Sequence, residues 1–135
     1  MPETVFEKIL NDEIPCHKVY EDEYVLAFLD IHPITKGHTV IIPKEKAMDF
    51  RDASLSSSQH LIRVAKELAT WYEDVLSVEG FNLVHNAGSV AGQEVPYYHI
   101  HLLPQRDNDD TPLQGERPEP PSEEALEALR KKLRL

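Results

Sequence analysis

The sequence predicts an α+β domain. It reads as a mostly antiparallel sheet of five short strands covered on one face, with one long helix and short helices near both ends. Three observations carry this. Leu61, Ala65, Leu68, Tyr72 and Val75 recur at spacings of 4, 3, 4 and 3, which makes one apolar stripe on a long helix. Short apolar runs bounded by Gly, Pro or acidic turns occur on both sides of that helix, as strands do. Capping signatures stand near each end, at Thr4 and at Ser122.

The elements follow in order. Thr4-Val5-Phe6-Glu7 is a capping box, in which the Thr4 hydroxyl and the Glu7 carboxylate each satisfy a free N–H. Val5, Phe6 and Ile9 fall along one side of this first helix, and Pro15 closes the segment. Strand candidates at 16–20 and 24–30 flank the turn Glu21-Asp22-Glu23, and a third at 38–42 follows a loop with Pro33 and Gly37. The long helix is expected over 56–77, with Ser56-Ser57-Ser58-Gln59 as its capping box and Gly80 as its stop. Residues 81–86 read as the fourth strand, Ala87 to Gly92 as a small-residue loop, and 98–103 as the fifth strand. Beyond Pro104 the composition changes. Four prolines lie between Pro112 and Pro121 in a polar stretch, and Ser122 then opens a terminal helix with acid at its start and base at its end. The expected division is a domain over 1–104, a Pro-rich acidic extension over 105–121 and a C-terminal helix over 122–135.

Composition bounds the function. A chain of 135 residues suits one domain and buries roughly two-thirds of its unfolded surface without help from disulfides. The lone Cys16 cannot pair internally, no apolar run approaches the ~20 residues of a membrane span, and Met1-Pro2-Glu3-Thr4 is no signal peptide. The expected location is the cytoplasm. Fourteen basic against twenty-four acidic side chains give a net charge of −10, a field that repels nucleic acid and anionic membranes. The one basic concentration, residues 130–134, suits the C-terminal end of a helix. A small anionic substrate stays open, because local N–H groups outweigh a distant field.

The informative histidines are His99 and His101; His17, His32 and His60 read as solvated. Alternation on a strand puts Tyr97, His99 and His101 on one face and Tyr98, Ile100 and Leu102 on the core side. Two plain readings compete: a polar outer face, or a zinc pair with His38 or His85 as third ligand. Two features favour an anion site instead. The Gly88–Gly92 loop, rich in exposed N–H groups, abuts the histidine face, and His38 opens a strand directly after Gly37.

Asn86-Ala87-Gly88 and the run Ala91-Gly92-Gln93-Glu94-Val95-Pro96-Tyr97-Tyr98-His99-Ile100-His101-Leu102-Leu103-Pro104 resemble the signature of the histidine triad (HIT) nucleotide-binding family. That family's pattern is His-φ-His-φ-His-φ-φ, with φ apolar. The likeness runs back through the Gly37 to Lys44 segment and Phe28-Leu29-Asp30-Ile31 to Ile14-Pro15 and Val5-Phe6, about residues 4 to 104. Tyr97 stands where the family has its first histidine. Some members hold a structural zinc at positions matching Thr4, Glu7, Lys46 and Tyr97 here, so neither metal nor cofactor is expected and Tyr97 is assigned to packing.

The resemblance implies a HIT-like fold, a homodimer and attack on the α-phosphorus of a purine nucleotide (AMP-like) substrate. By this likeness His99 is the nucleophile, its second ring nitrogen held by a backbone carbonyl near His38. His101, Asn86 and Gln93 donate to phosphate oxygens or the leaving group, with Glu94 and Val95 beside them. Asp30 accepts from the ribose, and Val5, Phe6, Ile9, Phe28 and Ile31 sandwich the base. Phe28 and Ile31 also fit a plain core, Asp30 a turn before Pro33, and Asn86 a cap on the Gly88 loop. The implied activity is that of a purine nucleoside phosphoramidase; the alternatives are a dinucleoside polyphosphate hydrolase and a nucleotide-binding regulatory protein with little turnover.

Overall fold

A computed structural model of the chain describes residues 3–107 and 118–135. The expected 105–121 extension lies largely outside the described residues. The elements are α1 (Val5–Leu10), β1 (Lys18–Glu21), β2 (Val25–Leu29), β3 (Thr39–Pro43), α2 (Leu55–Leu76), β4 (Gly80–Val84), β5 (Ile100–Gln105) and α3 (Glu123–Leu133), with a short 3-10 turn at Ser89–Ala91. The strands form one five-stranded sheet in the order β1-β2-β3-β5-β4, every neighbouring pair antiparallel. The predicted α+β architecture is the observed one.

The sheet is covered on both faces, not one. Alternation on β2 and β3 sends Val25, Ala27, Leu29 and Ile41 into a core with the α2 side chains Leu61, Val64, Leu68 and Tyr72. The intervening Leu26, Phe28, Val40 and Ile42 pack on the opposite face against Phe6 and Ile9 of α1 and against Tyr97. This double coverage explains why β2 and β3 read as continuous apolar runs. It also sets aside the competing reading of 97–101 as a polar outer face, because α1 lies over it: Phe6 meets His99 with ring centroids 4.9 Å apart.

Several boundaries move. The Thr4–Glu7 capping box forms as expected. Helix α2, however, is capped by Ser54, whose side chain accepts from the Ser57 N–H, and it ends on Ser77 in the left-handed conformation; Gly80 instead opens β4. The terminal helix α3 is part of the core through Leu126 and Leu133, and the Trp71 indole donates to the Leu133 carbonyl at 3.0 Å. Its docking overturns the solvated reading of His17, which is buried with Nε2 3.0 Å from Glu123. His60 stacks on Tyr24, and His32 is exposed as expected.

Gly37 sets the position of His38. Its φ is +91°, and a Cβ there would lie 2.9 Å from Leu76 Cδ1 and 3.2 Å from Pro104 Cγ. Gly37→Ala is therefore expected to lower the unfolding free energy by about 1–3 kcal/mol, the cost of a side chain in the left-handed region, before any clash is added. Urea unfolding checks this, and an unchanged midpoint contradicts it.

Candidate active site

Three histidines converge at the β3–β5 seam. Val40 pairs with His101 across that seam, so His38, two residues before Val40, shares the His101 face. His38 is almost wholly buried, with only 1% of its surface exposed. Its Nδ1 accepts the Ile34 backbone N–H at 3.0 Å, so its ring proton is on Nε2. That proton is donated to His101 Nδ1 at 2.9 Å, which leaves the His101 proton on Nε2. Asp30 Oδ2 stands 3.6 Å from His38 Nε2, and Asp30 Oδ1 accepts the His32 N–H at 2.8 Å. A two-residue alternation thus builds a chain of fixed tautomers.

His99 is fixed independently. Its Nδ1 is 2.6 Å from the Tyr97 carbonyl oxygen, an atom that only accepts, so Nδ1 carries the proton and Nε2 keeps a lone pair. The carbonyl that holds it belongs to Tyr97, two residues away, and not to the His38 region as expected. Burial holds the His99 imidazole below the usual histidine range, against an upward pull from the Tyr97 carbonyl. The rings of His99 and His101 lie 4.9 Å apart and nearly perpendicular.

These groups open into a cavity of about 800 Å³. Val5, Phe6 and Ile9 of α1, Phe28 of β2, Asp30 and Ile31 just after it, and Asn86, Glu94, Val95, His99 and His101 line it. Eleven expected site residues therefore share one wall system, apolar at the α1 end and polar at the histidine end. His38 sits behind His101, in hydrogen-bond contact with its ring, and does not line the cavity. Gln93 departs from expectation: its Oε1 accepts the Gly88 N–H at 2.7 Å, and its Nε2 donates to the carbonyls of Met48 (2.8 Å) and Val95 (3.1 Å). It braces the loop and does not line the cavity. Sequence reasoning passed over Ser89, Cys16 and Ile34 as lining residues, and it weighed His85 only as a zinc ligand. None of these carries a periodic or motif signal. The Cys16 thiol is pushed up to about 11 by burial, so it stays protonated and inert.

The zinc positions of some HIT members hold a different chemistry here. Thr4 and Glu7 exchange capping hydrogen bonds, Lys46 Nζ lies 3.3 Å from Glu7 Oε2, and the Tyr97 hydroxyl donates to the Pro43 carbonyl at 2.7 Å. An ammonium beside the single carboxylate, with neither thiolate nor imidazole, does not fit zinc. Among the described residues, Asp30, His38 and His101 do bring ligand atoms within 4.8 Å of one another. There the imidazole nitrogens already face each other through a proton.

An α+β sheet with histidines over a half-apolar cavity offers a site of a size for a small molecule, with the Nε2 lone pair of His99 inside it. Comparison with known proteins agrees. Residues 11–108 match the HIT domain model. A HIT-like protein of Methanocaldococcus jannaschii is 43% identical over 105 residues, covering 78% of this chain and 81% of its own. The adenosine 5'-monophosphoramidase of Saccharomyces cerevisiae is 38% identical over 103 residues, covering 76% of this chain and 63% of its own. The crystal structure of a Hit-like protein from Bartonella henselae superposes with a TM-score of 0.88 at 28% identity, covering 98% and 95% of the two chains. The chain belongs to the HIT family of nucleotide-binding hydrolases and transferases. Among the described residues no helix is long and apolar enough to cross a membrane.

The burial of neutral His99 carries a pH signature. Its folded pKa is lowered, so the unfolded chain takes up the proton first. The stability tied to the neutral ring is present above the ordinary histidine pKa of about 6.5 and is lost as pH falls through the lower folded value. An NMR titration should place the His99 midpoint below about 6.5. A midpoint at or above that value contradicts the burial argument.

Proposed function

We propose that the protein is a nucleotide hydrolase acting at the α-phosphorus of a purine nucleotide, most specifically a purine nucleoside phosphoramidase that cleaves P–N bonds in adenylated amines. The observation that carries the reading is the Nδ1–H bond from His99 to the Tyr97 carbonyl, which leaves Nε2 as a lone-pair donor. The likeness to the yeast adenosine 5'-monophosphoramidase supports the substrate class.

In this reading the base lies between α1 and the end of β2, against Phe6, Ile9 and Phe28, and the ribose hydroxyls meet Asp30. His99 Nε2 attacks the α-phosphorus and the P–N bond breaks. His101 Nε2–H gives its proton to the departing amine, His38 holds the opposite nitrogen of that ring, and the water that next attacks phosphorus returns a proton to His101 Nε2. Water then hydrolyses the nucleotidyl-imidazole and releases AMP. Asn86 lines the phosphate end, while Gln93 acts by holding the 88–95 loop in shape. Glu94, an acid at the cavity rim, favours an amine leaving group, which carries positive charge when protonated. This favours the phosphoramidase over the dinucleoside polyphosphate hydrolase, whose leaving group is a polyanion. We take the cytoplasm as the site of action and a homodimer as the assembly.

Incubation with an adenosine phosphoramidate and with diadenosine tetraphosphate tests the substrate class. Faster turnover of the phosphoramidate is expected, and preference for the dinucleotide refutes the choice. Rapid quenching should trap an AMP-sized mass on the His99 peptide. His99→Ala should abolish the adduct, whereas His101→Ala should slow its formation by about 10²- to 10³-fold, the usual loss for one transition-state donor. An adduct on His101 overturns the assignment. Tight AMP binding with no turnover of either substrate would make the protein a nucleotide-binding regulator instead.

A further inference from the structure

We infer that His85 is a positioning residue for His99. The inference rests on the reading of His99 as nucleophile, and it concerns a ring that does not line the cavity. Pairing of β4 with β5 ends at Val84 and His101, and the chain then leaves the sheet toward the 86–92 loop. At that departure the half-buried His85 ring bridges two backbone groups. The Phe50 N–H donates to Nε2 at 3.2 Å, and Nδ1 lies 2.9 Å from the His99 carbonyl oxygen.

The two partners together dictate one protonation state. An N–H directed at Nε2 requires a lone pair there, and a carbonyl facing Nδ1 requires a proton there. The opposite tautomer sets two donors face to face at one nitrogen and two acceptors at the other. The imidazolium keeps the His99 bond but loses the Phe50 bond. The ring is further confined by edge contacts with Phe50 and Tyr98, at centroid distances of 5.4 and 5.0 Å.

His99 is thereby fastened at three points. Its ring is held at the Tyr97 carbonyl, its own carbonyl at His85, and the preceding Tyr98 N–H at the Ala47 carbonyl at 2.8 Å. His85 adds the link to the 48–52 segment, where Met48 also receives the Gln93 amide. The nucleophile and the loop that walls the cavity are referenced to one piece of backbone. A displacement of about 1 Å at a reacting group costs about 10²-fold in rate, so loosening this clamp is expected to appear in kcat and not in nucleotide affinity.

The experiment compares wild type, His85→Leu and His85→Asn for phosphoramidate hydrolysis, with AMP binding and thermal unfolding recorded for each. Leucine keeps bulk only, while asparagine keeps a side-chain N–H near the place of Nδ1. His85→Leu should lower kcat by about 10- to 100-fold with KM within about threefold of wild type, and His85→Asn should recover most of the loss. In wild type, long-range ¹H–¹⁵N spectra should show His85 as the Nδ1–H tautomer. The inference is overturned by the Nε2–H tautomer, by wild-type kcat in His85→Leu, or by equal losses in the two variants, which would reduce the ring to filler. If His85→Leu does not fold, the wild-type tautomer and the asparagine variant still decide. An inactive wild type whose His85 is Nδ1–H refutes the functional reading and leaves the clamp standing; an active one with Nε2–H refutes the clamp alone.

Discussion

The Tyr97 carbonyl accepts the Nδ1–H of His99, and the proposed chemistry depends on that bond. A histidine has two nitrogens and, when neutral, one proton; whichever nitrogen keeps the proton cannot attack. A carbonyl acceptor two residues back in the chain settles the matter without help from distant groups. The acceptor is also well held. Tyr97 is buried beside Phe6, and its hydroxyl anchors to the Pro43 carbonyl at the end of β3. The Tyr97 side chain thus steadies the backbone carbonyl that holds the His99 ring.

The second histidine is set by the opposite logic. His101 receives its polarity from a chain that begins at a backbone amide, Ile34 N–H, and passes through His38. One ring is left with a lone pair at the nitrogen opposite its hydrogen-bond partner and its neighbour with a proton there, although the two lie 4.9 Å apart. The two rings are distinguished by their hydrogen-bond partners, not by their identity. Burial favours the neutral form of His99. The arrangement survives because β3 and β5 carry it between two packed layers, α2 and α3 on one side and α1 on the other.

Much of this was legible in the sequence. The stripe on α2 and the Thr4 capping box follow from spacing alone, and both appear in the structure. The alternation of His99 and His101 against Ile100 and Leu102 placed both imidazoles on the same face. What failed was local ambiguity or long-range packing. Five residues, Ser54 to Ser58, offer several equivalent caps, and the extended backbone at Ser54 decides between them. Ser77 takes a left-handed conformation that a sequence reading assigns to glycine. His17 looked solvated because α3, which buries it, arrives from more than a hundred residues away. Gln93 looked like a phosphate donor because its motif position says nothing about the Met48 carbonyl that captures its amide.

The most direct test of this account is the protonation pattern of the three seam histidines in the ligand-free protein. Long-range ¹H–¹⁵N spectra of imidazole-labelled protein near pH 7 should show His99 as the Nδ1–H tautomer and both His38 and His101 as Nε2–H. A His99 that carries its proton on Nε2 would contradict the account, because the nitrogen facing the substrate would then have no electron pair to give.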